Sequence, residues 1–351
     1  MKCPGSALHL HACLVLARRR AVAFTGSLIT ASLLGGLAAG AVSSCTPDIS
    51  PRREVVASLR SIESANLRKH VYDLATLGPR RSSDAHETLR TVEYLKTELR
   101  AAGCDTIEER VPATSGQPAI TNLVVTFTGS EPNSPVLEIG AHYDTVTGTP
   151  GADDNASGVA ALLEMAKVFI AHRQRRTLRL AFFAAEESGL RGSAAHVAQL
   201  IKRGDRLAGA IVLEMIGYAT DRPGTQRSPA RVPLFFWPPD RGDFIAVVGN
   251  LSSGWLGDRF ESALRAYVPE LHYFSAKRSG GLFRDAMRSD NKPYWDANLH
   301  ALMLTDTANF RNPNYHRSGD EPSTLNYGFL QRVTQATTAM ALLWAGAGSD
   351  E

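Results

Sequence analysis

Short apolar runs alternate with longer amphipathic ones through the second half of the chain, and no other feature of the sequence restricts the fold as much. Val136–Ala141, Leu178–Ala184, Ala210–Glu214 and Ala301–Thr305 have the length and continuous apolar character of buried strands. Ala156–His172 places Val159, Leu162, Leu163 and Ala166 at helical spacing, Gly192–Arg203 reads as a second helix, and Leu325–Trp344 as a closing one. A strand–helix–strand–helix–strand order predicts a mainly parallel sheet covered by helices on both faces. Upstream, Val55, Leu59, Ile62, Leu67 and Val71 recur near helical spacing, as do Leu89, Val92, Leu95 and Leu99, with Gly103 ending the second pattern. Thr106–Val111 and Asn122–Phe127 alternate as strands do. Pro223–Pro239, rich in Pro, Arg and Gly, reads as a surface excursion. There is no internal repeat and no second apolar core, so residues 54–351 are expected to form one domain.

The first 44 residues are expected to be an export signal. Arg18–Arg20 precede an uncharged run from Ala21 to Val42, closed by small residues. The competing reading is an anchoring helix, since the run is long enough to span a bilayer; its Gly and Ala content favours cleavage. Val42-Ser43-Ser44-Cys45 resembles the bacterial lipoprotein cleavage box, which makes Cys45 a candidate lipid anchor, and residues 45–53 a tether. The expected location is therefore periplasmic, extracellular or membrane-anchored in a bacterium. Lys2 and Arg18–Arg20 supply four of the 38 basic residues; the remaining 34 face 35 acids, a net charge of −1. No basic stripe with interleaved aromatics is left, which argues against nucleic acid as a partner. Only Cys104 follows Cys45, so no internal disulfide staples the domain.

The chemically informative residues follow the strand candidates. His142 and Asp144 follow the first, and Asp153 and Asp154 lie between it and the long helix. Glu186 and Glu187 follow the second, Glu214 closes the third, and His316 comes after the last. Ligands of open α/β sheets gather at the carboxyl ends of strands. Several carboxylates at one rim repel one another and are costly to desolvate, a penalty that a divalent cation removes. Mixed His and carboxylate donors suit zinc, with cobalt or manganese as substitutes. His142, Asp154, Glu214, His316 and one of Glu186 and Glu187 make five candidate ligands, which exceed the three of a single catalytic zinc and match two metals sharing a carboxylate. His142 and Asp144, two apart in an extended segment, face one side, so the Asp is expected to hold the imidazole. Asp154 standing alone would read as a helix N-cap. Adjacent side chains diverge, so one of Glu186 and Glu187 can bind metal while the other faces substrate as a general base.

GAHYDTVTGTPGADDNASGVAALLEMA, LAFFAAEESGLRGSAAH, IVLEMIGY and NPNYHRSGDEPSTLNY resemble the co-catalytic zinc aminopeptidases of metallopeptidase family twenty-eight, over about Leu67 to Ala345. The resemblance implies a single-domain α/β three-layer α/β/α sandwich around a mainly parallel mixed sheet. It implies two zinc ions per chain, with His142 a ligand of the first, Asp154 bridging, and Glu187 and His316 on the second. Glu186 matches the general base, Asp144 the acid behind the ligands, and Tyr315 a donor to the oxyanion. Glu214 stands where the family more often has Asp, and is kept as the first-zinc ligand. Asn291 stands where the family often has His, and His300 replaces a usual Pro; both are expected near the pocket wall.

The implied activity is hydrolysis of a peptide with a free N-terminus. A glutaminyl cyclase-like transferase with one zinc and a carboxypeptidase on the same scaffold remain open, as does a metal-free binding module, which would be expected to have lost ligands. A serine hydrolase finds no support, because no Gly-x-Ser-x-Gly elbow occurs.

Overall fold

The computed structural model of the chain describes residues 50–131, 133–228 and 239–346. The export signal, Cys45, most of the tether and most of the Pro223–Pro239 excursion lie outside these residues. Helices run over α1 (Arg53–Arg60), α2 (Ser64–Thr76), α3 (Ala85–Ala101), α4 (Gly158–Ile170), α5 (Arg191–Arg203), α6 (Gly254–Tyr267), α7 (Asn291–Asp296) and α8 (Tyr327–Ala345). Strands are β1 (Ile107–Val111), β2 (Ile120–Phe127), β3 (Val136–His142), β4 (Leu178–Phe183), β5 (Leu207–Glu214), β6 (Phe244–Gly249), β7 (His272–Ala276) and β8 (Ala301–Thr305). None of the described helices is long and apolar enough to cross a membrane.

The eight strands form one sheet in the order β1-β2-β4-β3-β5-β8-β6-β7. Its centre, β4-β3-β5-β8, is parallel, whereas β1-β2, β2-β4 and β6-β8 are antiparallel. The parallel centre brings the carboxyl ends of four strands to one rim, as expected. Alternation along each strand builds two cores. Leu180, Phe182, Ile211, Leu213, Leu302 and Leu304 face the larger layer, which contains α2, α4, α6 and α8. Ala181, Phe183, Ala210, Ala301 and Met303 face a smaller layer of α5 and α7.

Two expectations change. The apolar pattern from Val55 to Val71 is two helices, because α8 reaches into the break: Gln335 Nε2 donates to Leu59 O (2.9 Å) and Gln331 Nε2 to Ile62 O (2.7 Å), satisfying carbonyls that a continuous helix would have used. Leu89 is 55% exposed; the buried face of α3 instead runs through Thr88, Thr91, Val92, Leu95 and Leu99. Asp84 starts that helix, accepting from the backbone N–H groups of His86 and Glu87.

Candidate metal centre

Three of the five expected ligands sit at or just beyond strand ends, and the other two, Asp154 and His316, come from the loops that follow β3 and β8. His142 is the last residue of β3 and Glu214 the last of β5, while Glu186 and Glu187 turn off the end of β4. The turns are tightly specified: Ala185 (φ 56°), Met215 (φ 49°) and His316 (φ 58°) are all left-handed, beside or within the cluster. Such conformations in non-glycine residues concentrate at functional sites. Asp154 does not cap the long helix, which begins at Gly158; it lies in an irregular segment with φ −103° and ψ 88°.

The side chains converge in two groups. His142, Asp154 and Glu214 form one; Asp154, Glu187 and His316 form the other; in each, the donor atoms lie within 4.8 Å of one another. Asp154 belongs to both. Its Oδ1 is 3.3 Å from His142 Nε2, and its Oδ2 is 3.1 Å from His316 Nε2. Glu214 Oε2 approaches His142 Nε2 to 3.5 Å, and Glu187 Oε2 approaches His316 Nε2 to 3.2 Å. His142 Nε2, Asp154 Oδ2 and Glu187 Oε1 are buried without hydrogen-bond partners. Buried orphan donors and acceptors are rare, and three of them aimed at one small volume fit cations as the missing partners.

Electrostatics point the same way. Burial pushes the Glu186 carboxyl well above the usual range, reinforced by Glu214, Asp290 and Glu187 and opposed by His142. Burial likewise lifts Glu187 to about 7, with Asp154 adding to the effect. Burial works against a charged His142, yet Glu186 and Glu214 raise its pKa well above the ordinary imidazole value. This is a crowd of carboxylates held together against mutual repulsion, a condition that divalent cations relieve.

The support beneath the ligands differs in part from expectation. His142 Nδ1 pairs with the backbone carbonyl of Asp144 (3.2 Å) and lies 3.6 Å from its carboxylate. The carboxylate instead accepts from the N–H of Glu186 (2.9 Å) and of Glu187 (3.3 Å), so Asp144 orients the acid pair as well as facing the imidazole. Asp153 turns away and accepts from Gly217 N and Asn312 Nδ2. Tyr315 stacks on His316 with ring centroids 3.8 Å apart, and its hydroxyl accepts from Arg288 Nη2 at 2.9 Å. Asn291 and His300 do not line the pocket. Asn291 Nδ2 donates to Ala286 O, and His300 precedes β8 at the opposite end of the sheet, edge-on to Trp255. Sequence reading missed Ser289, whose hydroxyl donates to Glu214 Oε2 at 2.6 Å, and the fully buried Asp290, lifted by burial to about 7. Both stand in the Ser289–Trp295 segment but follow no strand, so position alone did not single them out.

Beside the donors opens a cavity of about 460 Å³, within the ordinary range of small-molecule sites. It reaches Asp154, Glu186, Glu187, Glu214 and His316 at one end. Its depth is apolar: Phe244, Ala246 and Val248 of β6, Phe274 and Ala276 of β7, Met303 of β8, and Phe283 and Phe310 from loops. The cavity lies on the sheet face that carries α5 and α7, toward its β6-β7 end.

The model of peptidase family M28 matches residues 122–341, a stretch that includes every donor named above. The chain belongs to peptidase family M28. It is accordingly a hydrolase, a zinc metallo-exopeptidase. The M28 chain is 36% identical to the uncharacterized protein YfbL of Escherichia coli (strain K12), over 77% of this chain and 84% of that one. Among solved structures it resembles BSAP, a zinc aminopeptidase from Bacillus subtilis (TM-score 0.64, 15% identity, 81% of this chain and 95% of that one). It also resembles a Porphyromonas gingivalis glutaminyl cyclase (TM-score 0.61, 18% identity, 80% and 98%). At these identities the two structures speak for the shared α/β/α fold.

Proposed function

We propose that this peptidase is an aminopeptidase that works with two zinc ions and removes residues with apolar side chains from the free N-terminus of peptides. The observation that carries the reading is the pair of three-donor groups sharing Asp154. His142 and Glu214 would hold one ion, Glu187 and His316 the other, with Asp154 offering an oxygen to each group. Bound zinc supplies Lewis acidity toward the scissile carbonyl and a water of lowered pKa.

The remaining chemistry belongs to side chains. Glu186 lines the pocket next to the donors without being one of them, a position from which a carboxylate can take the attacking water's proton and hand it to the leaving amine. Asp144 fixes the backbone of Glu186 and Glu187, so the base and its metal-binding neighbour keep their divergent directions. Because Arg288 donates to the Tyr315 oxygen, the phenolic proton is left to reach the oxyanion of the tetrahedral intermediate. The apolar cavity receives the side chain of the N-terminal residue.

A one-metal cyclase resting on the same fold needs only one donor group, whereas here the second is complete. The test is metal analysis of the purified chain together with a panel of aminoacyl amides. Two zinc ions and release of apolar amino acids are expected. Cyclisation of an N-terminal Gln peptide without amino-acid release, or cleavage from the C-terminus only, would replace this reading. For the leader, the proposal is export with lipidation at Cys45: a membrane-bound product that becomes soluble on Cys45→Ala substitution is expected, and an unchanged distribution rejects it.

A further inference from the structure

Arg80 and Asp320 contribute no donor to either metal group, yet they grip the segment that carries Asp154 from two sides. Arg80 is fully buried. Its guanidinium donates to four backbone carbonyls: Tyr143 (2.8 Å), Leu74 (3.1 Å), Pro150 (2.8 Å) and Gly151 (2.8 Å). Asp320 holds the amides that follow. Its Oδ1 accepts from Asp153 N (2.9 Å), its Oδ2 from Asp154 N (3.1 Å), and its own carbonyl from Ala152 N (3.1 Å). Five successive residues, 150 to 154, therefore have a backbone group bound by one or the other.

The same two residues tie this segment to its neighbours. Arg80 also exchanges hydrogen bonds with Thr145 through its own backbone, bracing the turn that follows His142. Asp320 stands four residues beyond His316. Gly151 permits the approach: at φ 62°, a Cβ there would meet Arg80 Nη2 at 2.7 Å and Asp154 O at 2.5 Å. Burying a guanidinium among neutral carbonyls is expensive, and an apolar side chain would fill the space at less cost to stability. Burial lowers Arg80 only to about 10, so it keeps its charge at neutral pH, facing Asp320, Asp154 and Asp144 through space.

We propose that Arg80 and Asp320 act as a two-sided clamp on residues 150–154 that sets where the Asp154 carboxylate stands, and thereby how tightly the shared metal site binds. They are positioning residues, and the inference rests on the two-metal reading above. The test compares wild type, Asp320→Asn, Arg80→Lys and the double variant as full-length metal-free protein. Zinc dissociation constants are measured by competition with a chromophoric chelator, alongside the melting temperature without metal. Each single variant is expected to weaken zinc binding by about 10- to 100-fold. The double variant is expected to lose less than the product of the two, because both residues hold one segment. A merely structural role would lower the melting temperature and leave the dissociation constant of the folded protein unchanged, which overturns the clamp. If Arg80→Lys does not fold, Asp320→Asn, close in shape to the native residue, decides by the same measurement; if neither folds without metal, the pair belongs to the fold and the inference is rejected. A wild-type chain that binds no zinc sinks the two-metal reading and the clamp together, whereas tight wild-type binding matched by the variants sinks the clamp alone.

Discussion

At the scale of single residues, the adjacent acids at the end of β4 carry different burdens. Glu187 is a donor of the second metal group, while Glu186 is not a member of either. Glu186→Gln is therefore expected to retain both zinc ions and lose about 10²- to 10⁴-fold in kcat; near-wild-type turnover at full metal content would remove Glu186 as the base. Glu214→Ala takes one donor from the first group only. Its zinc content, read by mass spectrometry, should fall from two per chain to one, and two retained ions would contradict the assignment. His142, Glu186, Glu187 and Glu214 were legible in the sequence because each ends or closely follows an apolar run, where solvation alone does not explain an acid or imidazole; Asp154 and His316 stand in polar loops and were singled out with the help of the family resemblance. Arg80 and Asp320 were not. Each is a charged loop residue next to another of the same sign, Arg81 and Glu321, and what it touches depends on segments 70 and 166 positions away.

Among the elements, β1 to β5 and β8 were legible in the sequence, whereas β6 and β7 were not, although β6 is wholly buried. Leu178–Phe183 and Ala301–Thr305 are wholly buried and read as strands at once. His272–Ala276 is an edge strand with no fully buried residue, and its His-Tyr-Phe-Ser-Ala sequence carries no clear period. The packing of α5 against β4 shows how tightly the legible half is built. A Cβ on Gly192 would stand 2.0 Å from Ala184 O and 2.7 Å from Asn122 Oδ1, while Asn122 itself bridges Gly192 O and Ala184 N. Gly192→Ala is thus expected to destabilise the fold by about 1–3 kcal/mol in urea unfolding. It should also slow turnover, since the displaced Ala184 lies two residues before Glu186; unchanged stability would show that the helix can retreat freely.

For the molecule as a whole, stability is tied to pH through a buried network under α5. His196 Nδ1 faces Glu109 Oε2 (2.6 Å) and Nε2 faces Glu138 Oε2 (2.9 Å), and Glu138 also accepts from Tyr294 and Arg179. Two carboxylate partners require both ring nitrogens to carry protons. Despite burial, Glu138 and Glu109 raise His196 from 6.5 to about 9, and despite burial His196 lowers Glu138 from 4.5 to about 2. The His196 contribution is complete below 6.5 and disappears as pH rises through about 9, a loss on the order of 3 kcal/mol. The Glu138 contribution is complete above 4.5 and disappears as pH falls through about 2. Urea midpoints measured from pH 6.5 to 10 should decline less in His196→Phe than in wild type, the difference being the share that belongs to the network; an equal decline in both would clear the network. The sheet also divides its labour. The acids and imidazoles come from the ends of β3, β4 and β5 and from the loop after β8, whereas the cavity wall comes mainly from β6 and β7, attached through an antiparallel pairing. Selectivity can therefore drift while hydrolysis is conserved. On the proposed aminopeptidase reading, a lineage of such enzymes could change its diet by enlarging Ala246 or Ala276, turning from bulky to small N-terminal residues, without a single change among the groups that break the bond.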